Sequence, residues 1–173
     1  MLEVPVPLNE PERLASLRKL NVLDTPIEER YERLTRMACR TLGVPIAAFT
    51  LVDDKRQWFK SIQGLNSTET AKELSFCAHV VAGNDVLLVP DATQDQRFYD
   101  NPLVTGNPNI SFYAGCPVRS PDGQTIGALC AIDNRPRKLD PEQIQALRDL
   151  AILVENEMKL SEMSKAQDEL INE

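Results

Sequence analysis

Histidine, tryptophan and positive charge are all scarce in this chain. Among its 173 residues there is one histidine, His79, and one tryptophan, Trp58, and aromatic residues total 5%. One histidine with four scattered cysteines is a poor metal set. No C-x-x-C or H-x-x-x-H spacing occurs, so neither a structural zinc nor any other resident metal is expected. The apolar runs are short. The longest, IAAFTLV and IGALCAI, fall far below what a bilayer requires, so no membrane partner is expected. The opening MLEVPVPLNEPER has no basic region followed by an apolar one and is not a secretory signal. The compartment that follows is the cytoplasm, where Cys39, Cys77, Cys116 and Cys130 are expected as reduced thiols. Lys and Arg number 19 against 26 Asp and Glu, a formal net charge of −7. A phosphate-backbone binder needs a basic face, so nucleic acid is not an expected partner.

Catalytic signatures are also missing. GLNSTET has neither the lysine nor the spacing of a phosphate-cradling loop. No nucleophile elbow precedes or follows His79. Asp91, Asp95 and Asp100 do not follow the alternate-ligand pattern of a calcium loop, and Asx turns and helix caps account for them. No certain cofactor is implied.

Hydrophobic residues make up 42% of the chain, enough for one core-forming domain with material left for an extra helix. A short first helix is signalled by Asn9 and Glu12 as a capping box. A second has Thr25 as cap, Pro26 at its first position and Glu28 closing the box. Ile27, Tyr31, Leu34, Ala38 and Leu42 recur along it at helical spacing, and Gly43 ends it. PIAAFTLVDD and QWFKSIQG read as neighbouring strands, the second with Trp58, Lys60 and Ile62 on one face and Phe59 and Ser61 on the other. A short helix is placed around 75–83, a short strand at VLLVPDA, and a long loop with one turn of helix near NPLV. ISFYAGCPVR and QTIGALCAID form a hairpin across SPDG. Asp140, Pro141 and Gln143 open a long final helix. Along it Ile144, Leu147, Ala151, Val154 and Met158 repeat at three-then-four spacing, the seam of a two-helix contact. The pattern is α+β: one mostly antiparallel sheet with helices on one face and a long C-terminal exit helix. It divides into an N-terminal helix and linker (1–24), a core (25–138) and a signalling or dimerisation helix (139–173).

Six segments in order carry a family likeness: ERLASLRKLNVLDTPIEERYERLTRMA, TLVDDKRQWFKSIQGL, SFCAHVV, VPDATQDQRFYDNPLVTG, FYAGCPVRSPDGQTIGALCAID and LDPEQIQALRDLA. Together they resemble a bacterial GAF domain, of the subgroup found N-terminal to histidine kinases and diguanylate cyclases. The resemblance covers roughly residues 10–155. It implies a GAF/PAS-like sheet with a ligand pocket on one face and a helical bundle on the other. It also implies a non-catalytic cytoplasmic sensor of bacterial signal transduction, including two-component systems. Such a sensor would form a homodimer through the seam residues and be read by a fused or separate kinase or cyclase output domain. The small-molecule ligand is left unidentified. The candidate pocket comprises Trp58, Phe76, Cys77, His79, Asp91, Phe98, Asn101, Phe112, Tyr113 and Cys116, an aromatic wall with a few polar groups.

Two alternatives accompany this reading. A ligand-free dimerisation module would have its pocket filled by Trp58, Phe98 and Tyr113. A thiol-based reductase of free methionine sulfoxide would use Cys77 and Cys116. Bilin attachment, known from phytochrome-like relatives, is disfavoured because Ala78 separates Cys77 from His79 and the surroundings differ.

Overall fold

A computed structural model describes residues 1–172. In chain order the elements are α1 (Glu10–Lys19), α2 (Glu29–Leu42), β1 (Ile46–Val52), β2 (Arg56–Gln63), β3 (Glu69–Ala71), α3 (Phe76–Gly83), β4 (Leu87–Val89), α4 (Pro102–Thr105), β5 (Phe112–Arg119), β6 (Thr125–Asp133) and α5 (Pro141–Ile171). Six strands form one sheet in the order β3-β2-β1-β6-β5-β4, and every neighbouring pair is antiparallel. The α+β class with its long exit helix is what the sequence led to expect.

The central strands are covered on both faces, which is why IAAFTLV is buried along its whole length. Alternation divides its side chains between two cores. Ala47, Phe49 and Leu51 join Leu17, Tyr31, Leu34, Leu42, Leu147 and Val154 under α1, α2 and α5. Ala48 and Val52 join Phe76, Val80, Phe98 and Tyr113 under α3 and the 90–110 segment. Gly127 exists because β6 crosses β1 too closely for a side chain: a Cβ there would run into the Thr50 carbonyl.

Several local expectations need correction. α2 begins at Glu29, not after Thr25, and Ile27 is exposed. Residues 25–28 are drawn instead to the buried ammonium of Lys60. It donates to Thr25 Oγ1 at 2.8 Å and Pro26 O at 2.6 Å, and pairs with Glu28 at 2.8 Å. A buried charge claims every acceptor within reach, and this outweighs the helix-start signal. Asn9 flanks α1 but makes no side-chain cap; its amide donates to Gln124 Oε1 at 2.6 Å. β2 carries a bulge. Phe49 pairs with Ser61 and Thr50 with Phe59, so Lys60 has no partner of its own. The extra residue shifts the alternation. Trp58 and Ser61 therefore face the helices, while Phe59 and Ile62 face the other core. β3, a three-residue edge strand, lies in a region with no strand signal of its own. α5 starts at Asp140 and Pro141 as expected, and a capping box forms there, with Gln143 N donating to Asp140 Oδ1 at 2.8 Å and Asp140 N to Gln143 Oε1 at 3.1 Å.

Candidate functional site

The sheet face opposite α2 and α5 holds a cavity of about 350 Å³. Ala48 of β1, Phe59 and Ile62 of β2, Tyr113 of β5, and Cys130 and Ile132 of β6 supply its sheet side. Phe76 and Cys77 of α3 close one end. Leu103, Pro108 and Ile110 close another. Leu65, Asn66, Ser67 and Asn107 stand at the mouth.

Local hydrogen bonds hold α3 in place. Ser75 caps it, accepting from Ala78 N at 3.0 Å. The same hydroxyl donates to Gln57 Oε1 at 2.6 Å, and Gln57 Nε2 donates to Thr70 Oγ1 at 2.6 Å. β2, β3 and α3 are thereby tied into one wall. The 3.0 Å contact between Cys77 Sγ and the Tyr113 hydroxyl joins α3 to β5. Gly115 makes this possible. It lies two residues along the same face, and a Cβ on it would collide with the Tyr113 phenol.

Of the residues proposed from sequence, Phe76, Cys77 and Tyr113 line the cavity. Phe98 is buried behind it, stacked on Phe76 with ring centroids 4.0 Å apart, and is a support rather than a lid. Asn101 is buried as well. It caps α4, accepting from Leu103 N at 2.9 Å, and its amide donates to the Leu74 carbonyl at 3.2 Å, which positions Leu103 at the wall. His79 lies outside the lining, its ring edge-on to Phe98 at 4.9 Å. Burial and the nearby Arg97 hold its imidazole below the ordinary histidine range, against the pull of Asp95, so it is neutral at pH 7. Asp91 caps a short turn, accepting from Thr93 N at 3.1 Å and Thr93 Oγ1 at 2.6 Å.

Trp58, Phe112 and Cys116 are corrections. All three lie in the core under the helices, across the sheet from the cavity. For Phe112 and Cys116 the alternation of β5 decides it, since Tyr113 points the other way. For Trp58 it is the position of β2 ahead of its bulge.

The thiols are redistributed accordingly. Cys77 and Cys116 are separated by the sheet and do not form a pair. Cys130 is the second thiol at the cavity, and sequence reading passed over it. The alternation of TIGALCAID, with Leu129 and Ala131 toward the helices, would have placed it there. Burial raises the Cys77 thiol, but hydrogen bonds offered by Cys130, Thr50 and Tyr113 lower it by more, so it is the more acidic of the two. Cys130 is pushed well above the ordinary thiol range by Cys77 and by burial. Burial pushes the Cys116 thiol up to about 11, which makes it a poor nucleophile.

The family profile described as GAF domain matches residues 26–158. The chain belongs to the GAF domain family. A cyclic di-GMP phosphodiesterase of Pseudomonas aeruginosa is 39% identical over 155 residues, 89% of this chain and 26% of the relative. The chain thus spans about a quarter of that relative's length. Among solved structures, the GAF domain of a Coxiella burnetii phosphoenolpyruvate-protein phosphotransferase superposes with a TM-score of 0.67 at 18% identity, covering 89% of this chain and 96% of that one. Free methionine-R-sulfoxide reductase of Neisseria meningitidis, solved with its substrate, gives 0.65 at 18% identity over 95% and 98%. A domain of a two-component sensor histidine kinase protein from Sinorhizobium meliloti gives 0.64 at 16% over 84% and 99%. At these identities the likeness concerns the fold. Among the described residues, no helix is long and apolar enough to cross a membrane.

Proposed function

We propose that this chain is the sensory domain of a bacterial signalling protein. It binds a small molecule in the 350 Å³ cavity and reports occupancy through α5. The observation that carries this reading is that one strand, β5, is wall to both. Tyr113 faces the cavity, while Phe112, Ala114 and Cys116 face the core that α5 covers. A ligand that prefers one position of Tyr113 biases the seat of α5 by its affinity ratio between the two states. The domain itself is non-catalytic. The thiol pair proposed for a reductase is split by the sheet, and Cys116 is a weak nucleophile.

The readout is a homodimer. The seam named from sequence cannot supply its contact, because Leu147, Ala151, Val154 and Met158 are buried in the chain's own core, with Ile144 packed beside them. A second stripe serves instead. Leu153, Leu160 and Met163 are exposed on α5, and so is Leu170. Leu153 and Leu160 stand seven residues apart, as do Met163 and Leu170, the spacing of a coiled-coil seam. A kinase or a cyclic di-GMP enzyme, fused or separate, is the proposed output. The phosphodiesterase relative supports the second class.

Native against denaturing mass spectrometry of protein purified from its own host tests the reading. A non-covalent mass lost on denaturation supports a sensor. Bare dimers would replace it with a ligand-free dimerisation module.

A further inference from the structure

The cavity carries no formal charge. No aspartate, glutamate, lysine, arginine or histidine is among its lining residues. The cations that could reach toward it are engaged elsewhere. Arg97 is held by Asp95 at 2.8 Å, Lys72 by Glu10 at 3.2 Å, and Arg56 by Asp24 at 2.6 Å and Glu69 at 2.9 Å. Lys60 lies under the helices with Glu28. An ion entering this cavity would lose its water and meet no charged side chain, only the partial charge of the N-terminal turn of α3 at Phe76 and Cys77, so the site discriminates against ions.

Its interior polar groups are neutral and already paired: Gln57 with Ser75 and Thr70, and Tyr113 with Cys77. At the mouth the situation differs. Neither Asn66 nor Asn107 has a side-chain hydrogen bond to another of the described residues, and Asn107 is exposed. Two free amides at the rim of an apolar chamber are suited to hold the polar end of a guest. The volume is at the small end of ligand cavities, which run from about 300 to 1,000 Å³. It suits one or two fused rings or a short chain.

We infer that the ligand is an uncharged, mainly apolar small molecule with a hydrogen-bonding hydroxyl, amide or lactone at the end facing Asn66 and Asn107. The inference rests on the sensor reading above and narrows it. It predicts that neither a cyclic nucleotide nor a zwitterionic amino acid occupies this cavity.

The test is calorimetric titration of the whole chain at pH 7 with 2-naphthol and 2-naphthoate, two probes that share the naphthalene ring and differ in the charge of its substituent. Naphthol is expected to bind with a Kd lower by about tenfold or more, the cost of stripping the carboxylate of water. Ile62→Trp, which fills the chamber, should abolish the naphthol heat. Leu65→Trp at the mouth is the second blocking variant should Ile62→Trp fail to fold. Asn66→Ala combined with Asn107→Ala should weaken naphthol several-fold. Naphthoate binding as tightly as naphthol, and blocked by the same tryptophan, would overturn the neutral class and leave the sensor reading intact. Heat that survives both tryptophan variants, or no heat from either probe at millimolar concentration, would overturn both.

Discussion

Lys60 shows how one side chain reorganises its surroundings. Its ammonium is fully buried beneath the sheet, 5.8 Å from the Tyr31 ring centroid, and takes three oxygen partners from residues 25–28. Breaking such a group apart and replacing it are different operations. Lys60→Ala leaves a cavity and orphaned acceptors, and should cost about 3 kcal/mol. Lys60→Met keeps the stem, and half-exposed Glu28 can turn to water, so about 1 kcal/mol is expected. Urea midpoints of the two variants decide it. Equal losses would mean that the ion pair, not the volume, holds the segment. Gly115 sets the geometry at the cavity in the opposite way, by having no side chain. Gly115→Ala must push the Tyr113 phenol off its seat and break its contact with Cys77. Overpacking of this kind costs about 1–3 kcal/mol. Tyr113→Phe, which drops the hydroxyl and leaves the ring, should cost about 1 kcal/mol. A neutral Gly115→Ala in denaturant unfolding would show that the ring has room to move. Thiol chemistry gives a third check. Cys77, Cys116 and Cys130 are buried and Cys39 is partly buried at the edge of the core. A bulky anionic aromatic disulfide reagent, which the uncharged cavity does not admit, should therefore titrate Cys39 alone in the native protein and all four thiols after unfolding. Rapid native modification of Cys116 would contradict its place beneath α5.

At the scale of elements, one buried polar latch ties α1 to the end of β1. Arg13 is buried, donates from both Nε and Nη2 to the Glu10 carboxylate at 2.7 Å, and from Nη1 to the Val52 carbonyl at 2.7 Å. Lys72 adds a second cation at 3.2 Å. The hydrogen bond from Arg13 holds the Glu10 carboxyl below its ordinary 4.5, against partial burial, with Lys72 helping. A depressed carboxyl stabilises the fold fully above pH 4.5 and loses that contribution as pH falls through its lower folded value. Glu10→Gln should therefore lower stability at neutral pH and flatten the acid limb of the stability curve. An unchanged acid limb would remove Glu10 from the pH dependence. None of this was visible in the sequence, which gives no sign that Arg13 is buried. Features that depend on a few neighbouring residues were legible: the start of α5 at Asp140 and Pro141, the strand IAAFTLV, the hairpin across SPDG. Features set by partners far along the chain were not. The displaced start of α2 follows Lys60 contacts across 34 and 35 residues of chain, which overrode the local helix-start signal, and the bulge at Lys60 left no mark in the strand pattern.

For the whole molecule the informative element is α5, one face of which is buried in the chain's own core while the other exposes Leu153, Leu160 and Met163. The repeat Ile144, Leu147, Ala151, Val154, Met158 was legible as a helix seam, but periodicity alone does not say whose surface covers it. The answer is α2 and the sheet of the same chain. Cavity membership was not readable for Trp58, because β2 shifts its alternation at the bulge; for Cys130 the alternation of β6 would have given it. The outer stripe of α5 then becomes the surface to test. If it joins two copies, Leu160→Lys combined with Met163→Lys places like charges in a parallel seam and should give a monomer. The domain should keep its helical circular dichroism and, at concentrations where the parent is also monomeric, an unfolding free energy within about 0.5 kcal/mol of the parent's, since both residues are exposed in the single chain. Leu147→Lys, aimed at the inner face, should instead abolish folding, because it buries an ammonium with no partner. Light scattering across micromolar concentrations separates the two faces. A double variant that stays dimeric would move the interface off the outer stripe. A parent chain that is monomeric throughout would leave α5 without a self-partner, and ligand-driven motion of β5 would have to be read by a different kind of surface.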